Sequence, residues 1–95
     1  MLSTIPIIGA PCISLCGRDK GKSYLIVRIL DPEFVLVADG VSKKMANAKK
    51  KRTKHIKILD EMPPSSAIAK IAAGDIVDNE IHKILLKINK KEVMK

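Results

Sequence analysis

The most constraining stretch of the chain is Gly17-Arg18-Asp19-Lys20-Gly21-Lys22, a charged segment bracketed by glycines. Residues 1–16 before it carry no charge, and residues 24–30 after it are strongly apolar. A short charged insert between two strand-forming segments makes a tight hairpin, a ligand loop, or both. The same residues first suggest a phosphate-binding P-loop, Gly17-x-x-x-Gly21-Lys22-Ser23. Three residues separate the glycines here, whereas that motif needs four. The motif must also open a helix whose N-terminus faces the phosphates. Here Tyr24-Leu25-Ile26-Val27 continues as a strand. Read as a strand-to-strand turn, the segment makes physical sense. Gly21 can take a backbone conformation that a side chain would forbid. Arg18, Lys20 and Lys22 then project toward a phosphate backbone, arginine through bidentate contacts and lysine as a point charge. Asp19 is expected to cap the turn or to orient Arg18.

The charge balance points to the same partner. The 95-residue chain has a formal net charge of +8. Eight basic residues, Lys43, Lys44, Lys49, Lys50, Lys51, Arg52, Lys54 and Lys57, fall in residues 43–57, where there is no acid. The other ten Lys and Arg are matched by ten Asp and Glu. One segment therefore carries the whole excess, the expected footprint of a polyanion partner. The alternative is a solvated charge run or a localisation tag. A chain this short has a thin core, which argues against a cleft enzyme with converging catalytic groups. Apolar residues make up 46% of it, too many for a disordered chain.

The period-two and helical patterns give a two-part architecture. Residues 1–9 read as an apolar arm broken by Pro6 and Gly9, with Pro11 just beyond it. Strands are expected at 12–15, 23–30, 34–38, 41–47 and 55–59. In the second of these, Leu25, Val27 and Ile29 lie on one face, and Tyr24, Ile26 and Arg28 on a partly wetted one. Asp31-Pro32 and Asp39-Gly40 are turn signals. Short strands at near-regular spacing suggest a small barrel over residues 10–60, which removes exposed sheet edges. Residues 61–95 read as a helical extension. Pro63-Pro64 ends the sheet, and Ser65 or Ser66 caps a helix with Ile68, Ile71 and Ala72 as its apolar residues. Gly74 stops it. Asp78 caps a second helix whose stripe is Ile81, Ile84, Leu85 and Ile88. Lys83, Lys87, Lys90 and Lys91 lie off that stripe or near its C-terminal end. The fold class is thus mainly β with C-terminal α: a five-stranded barrel followed by one or two short helices.

These residues carry a family resemblance. Gly-Arg-Asp-Lys-Gly-Lys followed by an apolar strand resembles the KOW motif of small RNA-binding barrels. Leu36-Val37-Ala38-Asp39-Gly40, then Lys43-Lys44, Lys49-Lys50-Lys51 and Lys54-His55, resembles more narrowly the bacterial KOW-domain proteins. Those are similar to archaeal and eukaryotic large-subunit ribosomal proteins. The resemblance covers residues 9–59. It implies an SH3-like barrel that binds RNA through Arg18, Asp19, Lys20, Gly21 and Lys22 in the loop. It also implies a basic ridge of Lys43, Lys44, Lys49, Lys50, Lys51, Arg52 and Lys54. The chain departs from the family at residues 11–16, where a polar, valine-containing first strand is usual.

The remaining chemistry-bearing residues have plainer readings. Cys12 and Cys16 lack two further ligands at metal spacing, so no metal or cofactor is expected. Two thiols in a reducing cytoplasm are the default. Residues 1–16 do not form a convincing signal, and no membrane partner is expected. Tyr24 and Phe34 could stack on bases but are more simply core residues. No Ser-His-Asp or paired-carboxylate set stands out. The expected function is a non-enzymatic, cytoplasmic RNA-binding module, its partner structured RNA such as ribosomal RNA. Reversing Lys50, Lys51 and Arg52 together is expected to abolish binding and spare the fold. The alternative is a protein-interaction module docking on the transcription or translation machinery.

Overall fold

In the computed structural model, which describes residues 6–93 with side chains through Ile88, the apolar run after the charged loop becomes the longest strand. Residues 1–5 of the expected arm, and the side chains of Lys90 and Lys91, lie outside the described residues. In chain order the strands are β1 (Pro11–Ser14), β2 (Ser23–Asp31), β3 (Phe34–Ala38), β4 (Lys49–Arg52) and β5 (Ile56–Ile58). Two helices follow, α1 (Ser65–Ala73) and α2 (Asp78–Val93). The five strands form one antiparallel sheet in the order β4-β3-β2-β1-β5. This is a small SH3-like barrel with a helical C-terminus.

β2 organises the barrel because it serves both halves of the sheet. Its first residues pair with β1, Cys12 opposite Tyr24 and Pro11 opposite Leu25. From Leu25 onward it pairs with β3, with register shifts between Ile26 and Arg28 and between Ile29 and Asp31. Such bulges bend a strand and increase its twist, which lets one strand turn a barrel corner. The Asp31-Pro32 hairpin forms as expected. The Asp31 carboxylate accepts the N–H groups of Glu33 and Phe34 at 2.8 and 2.9 Å.

Both faces of β2 are buried over residues 24–27, which corrects the expectation of a wetted face. Tyr24 and Ile26 pack inside the barrel with Ala10, Cys12, Val35, Val37 and Ile56. Leu25 and Val27 pack on the outside with Ala38, Ile71, Ile76, Ile81 and Leu85. The helices cover this outer face, and the strand becomes exposed only from Arg28. Each fully buried Leu, Ile or Val contributes roughly 1.5–3 kcal/mol, so the outer layer is a second core in its own right.

The fourth strand is not where the sequence suggested. Residues 41–47 form a turn and a short 3₁₀ helix, Met45–Asn47, and the strand is the basic run Lys49–Arg52. The Asp39 carboxylate supplies the reason. It accepts the N–H groups of Val41 and Lys43 and the hydroxyl of Ser42, all at 2.8 Å, and curls the chain out of extended geometry. Burial alone would raise the Asp39 pKa, but these bonds lower it. Gly40 is required here. Its φ is +79°, and a Cβ would overlap the Asp78 carbonyl oxygen at the start of α2.

The helix ends also differ in detail. No serine side chain caps α1; the Pro64 carbonyl accepts the N–H groups of Ala67 and Ile68 instead. Ala67 and Ile71 are its buried residues, while Ile68 is half-buried and Ala72 exposed. Gly74 ends it in the left-handed conformation, φ 78°. Asp78 opens α2, and its carboxylate accepts the Met45 N–H at 2.8 Å, which ties the turn region to the helix. Ile81, Leu85 and Ile88 are buried and Ile84 is half-buried, as the stripe predicts. No helix among the described residues is long and apolar enough to cross a membrane.

Candidate nucleic-acid interface

The charged loop is built around an acid that turns inward. Gly17 and Gly21 both adopt positive φ, 89° and 90°. The Lys20 and Lys22 N–H groups bond back to the Gly17 and Asp19 carbonyls, and the Gly21 N–H to Ser14. This tight turn drives the Asp19 side chain into the end of the barrel, where the residue is 6% exposed. Arg18, Lys20, Gly21 and Lys22 remain exposed. Of the two roles expected of Asp19, orienting Arg18 is not the one adopted, since its carboxylate turns inward.

Four donors meet the Asp19 carboxylate. Ser14 Oγ donates to Oδ1 at 2.8 Å, and Tyr24 Oη to Oδ2 at 2.8 Å. Lys51 Nζ reaches Oδ1 and Lys49 Nζ reaches Oδ2, each at 3.1 Å. Burial by itself would favour the neutral acid. The bonds from Ser14, Tyr24, Lys49 and Lys51 outweigh it and hold the carboxyl well below the usual range. Burial, then the bond to Asp19 and its charge, push the Tyr24 phenol above its ordinary value. Burial also pushes the Cys12 thiol up to about 12, which makes it inert. Cys12 and Cys16 are both free thiols.

The period of two divides β4 into opposite roles. Lys49 and Lys51 lie opposite Val37 and Val35, on the side that faces the barrel interior, and end on Asp19. Lys50 and Arg52 are exposed on the outer side. There they flank the half-buried ring of Phe34, with Lys50 Nζ 4.5 Å and Arg52 Cζ 5.0 Å from its centroid. Phe34 is the direct cross-strand partner of Arg52. Asp19 thus ties the loop to an edge strand whose other face presents two further cations.

The other expected site residues fall around this centre. Lys54 is exposed in the 3₁₀ helix Thr53–His55, and the neighbouring His55 carbonyl accepts the Leu15 N–H beside the loop. The backbone of Lys43 is spent on the Asp39 turn, with its side chain half-buried, and Lys44 is exposed. A groove of about 640 Å³ separates Gly21, Lys22 and Ser23 from Asp39, Val41 and Ser42, with His82 of α2 among its lining. Of the twelve expected residues, Asp19 and Lys51 are buried in the ion-pair centre, and Lys49 is partly drawn into it. Ser14, Tyr24 and Phe34 belong to the centre or its flank and were not on that list. Reading 49–52 as a strand would have separated the inward lysines from the outward ones, whereas Ser14 and Tyr24 meet Asp19 only through the tertiary fold.

Known proteins match part of the chain. No family model matches. The chain is 34% identical over 55 residues to the large ribosomal subunit protein eL14 of Staphylothermus marinus, covering 58% of this chain and 57% of that protein. It is 38% identical over 42 residues to eL14 of Methanococcus maripaludis, covering 44% of this chain and 54% of that protein. The chain therefore spans little more than half the length of these relatives. Over the matched part, it is similar to archaeal large-subunit ribosomal proteins.

Proposed function

We propose that the protein is a KOW-type RNA-binding module with a ribosomal-protein-like role, binding structured RNA through phosphate contacts rather than catalysing a reaction. One observation carries this reading. Asp19 draws the inward lysines of β4 into an ion-pair centre, while Arg18, Lys20 and Lys22 in the loop and Lys50 and Arg52 on the strand stay exposed. Neither Lys50 nor Arg52 has a carboxylate partner among the described residues. Unpaired cations on two adjoining elements suit a ribose-phosphate backbone, which rewards many charge contacts with little base readout. The similarity to archaeal eL14 supports ribosomal RNA as the class of partner.

The test is a salt titration of binding to a short A-form RNA hairpin. Affinity should fall linearly on a log-log plot as counterions are released. The double variant Lys50→Glu/Arg52→Glu should weaken binding at least about 10-fold and flatten the salt slope by about two units. Its melting temperature should match wild type, because both side chains are exposed. Lys51 is left out of this variant since it is part of the buried ion-pair centre, so the triple reversal would mix fold loss with lost contact. Unchanged affinity in the folded double variant would sink the reading.

A further inference from the structure

The phosphate reading leaves one feature unused: the aromatic ring on the outer face of β3 and β4. Phe34 is the sole phenylalanine of a chain with no tryptophan. The buried aromatic is Tyr24, whereas Phe34 is half-buried and sits at the start of β3 against the sheet edge. Two cations without carboxylate partners among the described residues, Lys50 and Arg52, lie against its ring. A guanidinium held against an aromatic ring keeps a second planar face open. Such a face stacks on a nucleobase, and the adjoining ammonium suits the phosphate next to that base.

We infer that Phe34, Arg52 and Lys50 form a stacking site for one unpaired base of the RNA, so that the preferred ligand is a helix interrupted by an extruded nucleotide rather than a perfect duplex. This rests on the RNA-binding reading and adds a base-level preference to it. A duplex keeps every base stacked internally and offers this platform only its backbone. A bulged nucleotide presents a free π-face at low unstacking cost. Any of the four bases has such a face, so the site selects for an unpaired position and not for sequence.

The experiment compares an A-form RNA hairpin with the same hairpin carrying one unpaired adenosine, replaced in a second probe by a fluorescent adenine analogue. Wild type should bind the bulged hairpin about 10-fold more tightly, and the analogue's emission should fall on binding as it stacks. Phe34→Leu keeps an apolar strand residue and removes the ring. Arg52→Lys keeps the charge and removes the plane. Each variant should bind the bulged hairpin no more tightly than it binds the plain one. Phe34→Leu, which removes no charge, should leave the plain-hairpin affinity at the wild-type value. Circular dichroism melts confirm that both variants fold. Equal binding of the two hairpins by wild type, with no change of emission, overturns the stacking site and leaves phosphate binding standing. Failure to bind either hairpin at low salt overturns both.

Discussion

Two faces of one four-residue strand teach different lessons about charge. Lys49 and Lys51 share β4 with Lys50 and Arg52, and each of the four side chains carries one positive charge. The first pair ends on Asp19 at 3.1 Å and serves the fold. The second pair lies outside, against Phe34, and is open to a ligand. A run of basic residues therefore does not offer all its charge to a polyanion. The pleat decides which half is structural, through the alternation of side chains across a strand.

The sharpest way to break this contrast is to remove the acid. Asp19→Ala leaves the ammonium of Lys51 buried without its carboxylate, with only the Cys16 carbonyl at 3.4 Å, and Tyr24 without its acceptor, while Ser14 keeps the Cys16 carbonyl at 3.0 Å. Removing one member of a buried ion pair costs roughly 3–5 kcal/mol, which a urea unfolding curve will read. The RNA affinity of the fraction that stays folded should change far less. A loss of stability no larger than that of an ordinary surface substitution would mean that the inward face is as solvated as the outward one.

Acid titration probes the same contrast more gently. A carboxyl whose pKa is depressed in the folded state contributes its full stabilisation above its unfolded value, about 4. That contribution is lost as pH falls below this value. Urea midpoints should drop between pH 5 and pH 3 in wild type and vary less in Asp19→Ala. Tyr24 acts at the other end. Its raised pKa gives a contribution that is full below its unfolded value, about 10, and lost as pH rises further.

The smallest effects separate neighbours on the strand. Lys51→Met removes one of four donors to Asp19 and should cost about 1–2 kcal/mol, whereas Lys50→Met should stay within about 0.5 kcal/mol. Equal values from paired urea curves would erase the distinction between the faces.

Much of the barrel was legible because local chemistry and tertiary structure agree. The Asp31-Pro32 hairpin, the long β2 and the Ile81, Leu85, Ile88 stripe all follow from periods and turn residues within a few positions. β4 was not legible. Lysine is depleted in strands, and Lys49–Arg52 becomes one only because β3 offers a pairing edge and Asp19 offers a carboxylate 30 residues away from Lys49 and 32 from Lys51. The wetted face assigned to Tyr24 and Ile26 failed for a related reason. Simple alternation implies one dry side. Tyr24 and Ile26 take the barrel interior, and nothing local shows that helices some fifty residues downstream dry the Leu25 and Val27 side as well. In the candidate site, the loop cations were readable from composition. The inward turn of Asp19 was not, since it depends on where Ser14, Tyr24 and two lysines converge.

The phenol on Asp19 gives the protein a built-in optical probe. Tyr24 is the single tyrosine, and there is no tryptophan to mask it. Its hydroxyl bonds to the carboxylate that also holds the loop against β4. Tyrosine emission of the unlabelled chain, excited above the phenylalanine band, therefore reports from one known spot. A ligand that merely rests on the outer cations should leave that signal almost untouched. One that pulls the loop away from the strand should shift it at once, so a simple spectrum can distinguish surface docking from rearrangement.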